Sequence, residues 1–328
     1  MREQTQRTHN YIILNTLMYV CWLVPGSPYS LAESSESHLK TTDPEPIGTY
    51  AAFSPTGDIR RFVGETLIFD MDYMIFSKAA QAQISFYEEN GKLKCTLIAE
   101  TKGIVGFLTS YIKHVYKSTF DVIDNGKRLR AVIFEREINQ GKTRERVVHD
   151  MDYVALQHRW FLYKNKTLVK QFNEPIAPED HLDDVLGLFY NFRNGVYGKI
   201  EKGQKYAIPT FWTKGERGGR INHMRLYVAT DLERRKYEEE EGSGKLEGAT
   251  MLVKLKVPSD LFDTKKGDEY FWSSKHYIPL EALYKDFILF GDLHIKLVKQ
   301  ITRGGKEHAS KCLSVKHPKS VTAGPARC

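Results

Sequence analysis

The sequence predicts a mostly β fold: an antiparallel, strongly curved sheet, a roll or open barrel, with one central helix. Three observations carry this. From Phe62 onward, short stretches alternate apolar and polar residues, the period of a half-buried strand. Asn90-Gly91 and Asn125-Gly126 separate such stretches, and Asn-Gly suits type I′ hairpins, whose two central residues need positive φ. One segment, His181 to Val196 (HLDDVLGLFYNFRNGV), follows the helical period instead. Several short strands with turn signals at this spacing make a sheet, sandwich or barrel.

The elements follow in order. The first 32 residues read as a secretory signal. Arg2 and Arg7 precede an apolar run, Tyr11 to Val24, diluted by Asn15 and Thr16. Pro25, Gly26 and Pro28 break it, and Ser30-Leu31-Ala32 places small residues for cleavage near Ala32. The rival reading is an uncleaved anchor, although the run falls short of the ~20 residues of a span. No later stretch approaches that length, so the mature chain is expected to lack a transmembrane segment. Residues 33–61, rich in Ser, Thr, Pro and Gly, read as a linker. Residues 62–301 read as a single β-rich domain, and 302–328 as a basic tail expected to be disordered.

Within the domain, Thr66 to Tyr73 points Leu67, Phe69, Met71 and Tyr73 to one face. Ala80 to Tyr87, Leu93 to Glu100, Tyr116 to Ile123, Leu129 to Ile138, Arg144 to Tyr153 and Arg159 to Gln171 continue the strands. Pro175 and Pro178 stop the run, and Asp180 is placed to cap the helix. Asp183 and Asp184 fall in its first turn, and Gly195 ends it. Strands resume at Lys205–Trp212, Ile221–Asp231, Ala249–Val257, Glu269–Ile278 and His294–Ile301, and the charge run Glu233 to Lys245 reads as a solvated loop.

Composition narrows the function classes. An apolar fraction of 41% supports a substantial core, and the net charge of +7 is spread along the chain. With export expected, nucleic acid is not the partner. Attraction to anionic lipid or polymer is a better use of the charge. Cys95 alternates with Leu93 and Leu97 and should point into the core, while Cys312 and Cys328 can pair with each other in an oxidising compartment. No spacing suggests a metal site or a cofactor, and no nucleophile elbow, HExxH or phosphate loop is present. Gly242-Ser243-Gly244-Lys245 lacks the rest of that last motif. The chain therefore reads as a non-enzyme with no catalytic residue. Asp70 with Asp72, and Asp150 with Asp152, are the one pattern of paired carboxylates that a glycan-active enzyme could use, and they also suit a solvated strand face. Asn165-Lys166-Thr167 fits a glycosylation sequon.

The helix carries the candidate site. Leu182, Val185, Leu186, Phe189 and Val196 share one face, Arg193 projects into that apolar stripe, and Tyr190 lies on its flank. Asp184 projects to the opposite side and cannot pair with Arg193. A charge on a buried face needs a partner. Arg193 either meets a sheet carboxylate such as Glu65 or Asp70, or anchors an anionic headgroup at the mouth of an apolar cavity. Arg193, Tyr190 and Phe189 are the ligand-binding candidates.

These residues resemble one family. Phe62-Val63-Gly64-Glu65-Thr66-Leu67-Ile68-Phe69-Asp70 is similar to its opening strand. Asp184 to Arg193 resembles its central helix, of the form D-x-L-S-x-x-Y-x-x-R, with Gly187 in place of the usual serine. Tyr277-Ile278-Pro279-Leu280 with Gly291-Asp292-Leu293 resembles its closing strands. This is DUF3108, a family of exported bacterial proteins of unknown function. The resemblance implies a β-rich fold and a Gram-negative envelope location, and it implies no activity. The expectation is a periplasmic, non-enzymatic binding or assembly factor of the cell envelope, its partner a lipid, a polymer or an envelope protein. The alternative is a structural or protein-interaction domain with no small ligand.

Overall fold

The computed structural model describes residues 57–178, 181–211, 221–241, 248–256, 268–288, 291–302 and 307–309. The signal segment, most of the linker, Cys21, Cys312, Cys328, Asp180 and Gly242–Lys245 lie outside the described residues. Among the described residues, no helix is long and apolar enough to cross a membrane.

The strands form one antiparallel sheet that is not closed. The first meander runs β1 (Glu65–Tyr73), β2 (Phe76–Glu89), β3 (Lys92–Thr101), β4 (Lys113–Ile123), β5 (Arg128–Gln140), β6 (Thr143–Asp152), β7 (Gln157–Lys164) and β8 (Thr167–Pro175). The second runs β9 (Lys205–Phe211), β10 (Ile221–Val228), β11 (Ala249–Lys256), β12 (Asp268–Ser274), β13 (Pro279–Ile288) and β14 (Gly291–Ile301). Pairing of β1 with β14 welds the two meanders, leaving β8 and β9 at the ends of the strand order. Those ends curl toward each other. Phe211 of β9 lies 4.8 Å, centroid to centroid, from His149 of β6 and 5.8 Å from Phe134 of β5. The sheet is therefore a roll held shut by side chains.

Alternation sets the inside. In β1, Leu67, Phe69, Met71 and Tyr73 are buried and their neighbours partly exposed. Cys95 and Leu97 continue that inner face on β3, as the alternation predicts. Asn90 (φ 52°) and Gly91 (φ 70°) make the expected β2–β3 turn.

Several elements depart from expectation. Ile59, assigned to the linker, is fully buried in a short 3-10 turn capped by Asp58, so the domain begins before Phe62. The single strand expected over Arg159–Gln171 is a hairpin, because Asn165 and Lys166 adopt positive φ and turn β7 into β8. Gly103–Leu108 forms a helix, α1, too short to show a period in sequence. The charge run expected to be a loop forms helix α3 (Asp231–Glu241). Thr230 and Glu233 cap it reciprocally: Thr230 N–H donates to the Glu233 carboxylate and Glu233 N–H to Thr230 Oγ1. Arg234–Glu238 and Lys236–Glu240 support its exposed face at i,i+4 spacing. Tyr237 of α3 stacks on Tyr270, 4.4 Å between centroids, and covers a small second core with Trp272 and Leu252 on the outside of the sheet. Residues 307–309, placed in the tail by sequence, pair with β14 as β15.

Candidate functional site: an apolar cleft beside a buried ion pair

The central helix, α2, spans Val185–Arg193 and packs on the inner face of the roll, against β3, β4, β5 and β9. It starts later than His181. Asp184 stays extended and caps it, accepting from Leu186 N (2.7 Å) and Gly187 N (2.8 Å). Asn194 and Gly195, at φ 71°, end it. Gly187 packs tightly: a β-carbon there would come 3.1 Å from Phe120.

Polar side chains fix the helix in place. Asn191 is fully buried and treats the start of β5 as a strand neighbour, accepting from Leu129 N and donating to Leu129 O. Its amide also donates to Asp183, which accepts from Tyr197 Oη at 2.5 Å and pairs with Arg128 at 3.3 Å. Burial pushes the Asp183 carboxyl up, against the pull of Arg128 and these donors. Burial also pushes the Asp184 carboxyl up to about 7, although two helix N–H groups favour its ionised form.

Arg193 meets Glu65. The pair is bidentate, Nη1 to Oε2 at 2.5 Å and Nη2 to Oε1 at 2.9 Å, and Gln300 adds a third bond to the same carboxylate. Arg193 is 4% exposed and Glu65 6%. The guanidinium lies 4.7 Å from the Phe62 ring centroid and 5.1 Å from that of Phe189, so aromatic faces shield it. Burial alone lowers its pKa; the bonds to Glu65 outweigh this and raise it. Of the two partners the sequence offered, the structure selects the sheet carboxylate, and Glu65 rather than Asp70.

The cleft lies farther along the helix. Val185, Leu186 and Phe189 form one wall, and Phe69, Met71, Ala82 and Leu97 of β1–β3 face them, with Ile295 and Ala282 of β14 and β13 beside. The cavity volume is about 70 Å³, and among the described residues Glu281 is the sole charged residue on its border. Small side chains make room for it: Ala82, on its wall, pairs in register with Phe69, and Ala282 pairs with Ile295. Of the three candidates named from sequence, only Phe189 lines the cleft. Tyr190 is fully buried against Phe86 and Phe62, and Arg193 is engaged by Glu65. The headgroup-anchor role is thus corrected: the anion at Arg193 belongs to the protein. Sequence reasoning missed Ala82, Ala282 and Leu97 as cleft residues. The inward alanines were visible in sequence, but which large side chain each one faces is set by strand register.

The paired aspartates lie on the outer face. Asp70 accepts from Gln81 and pairs with Lys78, Asp72 accepts from Lys78 N, Asp150 pairs with Arg159, and Asp152 caps the turn at Val154–Ala155. The structure does not bring either pair to the cleft.

A buried histidine cluster sits at the β4–β7 side of the interior. His149 Nδ1 and His158 Nε2 lie 2.8 Å apart. Burial, with Arg136 nearby, holds His114 down at about 3, and burial holds His158 at about 4. His149 is pushed the same way by burial and by His158. These histidines fold neutral and become charged on unfolding below the ordinary value of 6.5. Their stabilisation is complete above pH 6.5 and is lost as pH falls toward 4. At pH 5 the loss is about 2 kcal/mol for each of His114 and His158. Asp184 acts with the opposite sign: its raised pKa penalises folding at pH 7, and acidification relieves that penalty. Thermal unfolding should therefore show net acid destabilisation between pH 6.5 and 4.5, and His114→Phe should flatten the curve by about 2 kcal/mol at pH 5. An unchanged slope in that variant would remove His114 from the account.

No curated protein matches the chain. Among solved structures, it is similar to a β-barrel-like protein of a domain of unknown function, DUF1849, from Brucella abortus, at 14% identity, covering 73% of this chain and 98% of that one with a TM-score of 0.38. It is also similar to a DUF1089 family protein from Pseudomonas aeruginosa, at 9% identity, covering 63% and 90% with a TM-score of 0.28. Residues 68–298 match the family model of DUF3108, described as a protein of unknown function, and the chain belongs to that family.

Proposed function

We propose that the protein is an exported, non-enzymatic binding or assembly factor of the cell envelope whose cleft takes an apolar chain, such as the acyl chain of a lipid. The cleft carries this reading. Its walls are apolar side chains from both the roll and α2, the lining expected of a site for an apolar ligand. The ligand class is drawn from that lining: an apolar body, with any polar head left at the mouth. Export rests on the N-terminal apolar run and the small residues that follow it.

Protein purified from a bacterial periplasm and sprayed under native conditions should carry a co-purifying lipid. Ala82→Trp, which fills the cleft from β2, should weaken binding of a fluorescent fatty acid by at least about tenfold. Equal binding by wild type and a folded Ala82→Trp variant would sink the proposal. The Glu65–Arg193 pair favours a second reading, in which α2 is a structural plug in the roll and the outer surface docks a protein partner. Under it, no lipid co-purifies, and crosslinking captures a specific envelope protein.

A further inference from the structure

Among the described residues, the two edges of the roll differ in chemistry. On one edge lie the connections 74–75, 102–112, 141–142 and 165–166, which join β1 to β2, β3 to β4, β5 to β6 and β7 to β8. They hold Lys102, Lys142 and Lys166 and no acidic residue; Lys78 and Lys113 flank them, as do Asp72 and Glu100, and Lys78 pairs with Asp70. Twelve large apolar side chains are exposed among the described residues. Six of them, Met74, Ile75, Ile104, Phe107, Leu108 and Tyr111, sit in two of these connections, and Leu168 and Val169 begin β8 at the same edge. The opposite edge has polar turns such as Asn90-Gly91 and Asp124-Asn125-Gly126, and its exposed large apolar residues, among the described residues, are Val154 and, on α3, Leu232. Scattered apolar residues need no explanation, but a patch concentrated at one edge does.

The patch is also built rather than loose. The α1 loop is tied by a buried Thr101–Thr109 hydroxyl pair (3.0 Å), by Ile112 N to Thr101 Oγ1, and by Lys102 N to Ala79 O. Ser110 and Tyr111 both hold positive φ, 59° and 50°, a costly conformation for non-glycine residues. The result presents Ile104, Phe107, Leu108 and Tyr111 outward while Val105 faces the core. Charge fits a lipid surface: Lys102 and Lys113 share one carboxylate, Glu100, at 3.8 and 3.9 Å, so the rim keeps surplus positive charge. Aromatic and aliphatic tips ringed by lysine match the headgroup–acyl boundary of an anionic bilayer.

We infer that this edge is a membrane-docking surface: it seats on an anionic bilayer with Ile104, Phe107 and Leu108 among the acyl chains and the lysines at the headgroups. The inference does not depend on what the cleft binds. It does set the cleft near the membrane, since Met71 lies two residues, or about 7 Å, from the end of β1 at this edge.

The test uses the full chain with vesicles of phosphatidylcholine alone or mixed with phosphatidylglycerol, brominated in the acyl region. Fluorescence is measured against the wild-type tryptophan background. A tryptophan introduced by Phe107→Trp should be quenched by the anionic vesicles, and one introduced by Val154→Trp at the opposite edge should not. Lys102→Glu with Lys113→Glu should weaken the quenching at 107 by at least about tenfold. Equal quenching at both positions, or none at 107, overturns the inference. So does self-association without vesicles that Phe107→Ser with Leu108→Ser abolishes, which would assign the edge to a second copy of the chain.

Discussion

Glu65→Ala should destabilise the protein by about 3–5 kcal/mol, because it strands the Arg193 guanidinium in the core. The arginine is 4% exposed and has aromatic rings among its other neighbours. Urea unfolding is the measurement. The double variant Glu65→Leu with Arg193→Met removes both charges and should recover most of the loss, since a buried ion pair is roughly balanced by its own desolvation. That contrast separates two roles. If only the single variants are unstable, the pair fixes where the helix end sits on β1 rather than adding net stability. A loss under about 1 kcal/mol for Glu65→Ala would mean that the arginine finds water in solution, and the cleft account would then need an open path to it.

Asn191→Ala should cost about 3 kcal/mol or more. The substitution leaves Leu129 N–H, Leu129 C=O and one Asp183 oxygen without their amide partner, all inside the core, at about 1–3 kcal/mol for each unsatisfied group. Asn191→Asp tests the same geometry. It preserves an acceptor for Leu129 N–H but sets a carboxylate against Leu129 O and Asp183, so it should be worse than alanine at neutral pH and improve as pH falls. If Asn191→Asp unfolds at the same urea concentration as wild type, the amide is not what docks α2 on β5.

Much of this was legible from sequence because two strong signals agree. Period-two alternation placed Leu67, Phe69 and Met71 inside, and the single helical period placed α2 among strands. Arg193 was legible as a question for the same reason: a charge in an apolar stripe demands a counter-charge, and Glu65 begins the first strand. Where signals were short or mixed, the sequence was silent or pointed to a loop. Gly103–Leu108 spans under two helical turns, so no period develops. In α3 the glutamate run hid the Thr230–Glu233 capping pair that marks a helix start. The cleft itself was not legible, since Phe69 and Leu97 read as ordinary core. What distinguishes cleft from core is which alanine faces which large side chain across the roll, and that is a property of register.

The weld between β1 and β14 has a consequence in time. Glu65 is 128 residues from Arg193 and 235 from Gln300, so its shell of partners assembles only when nearly the whole chain is available. During synthesis the first meander must wait with β1 unpaired along one side. Sequence-distant pairing of this kind makes folding slow, although each doubling of the closing loop adds only about 0.6 kcal/mol. The waiting edge, Thr66 to Tyr73, is a template for the wrong strand. A chain released without β14 would carry an open seam along the wall of its own cleft, and aggregation rather than partial binding is the expected fate of such a truncation.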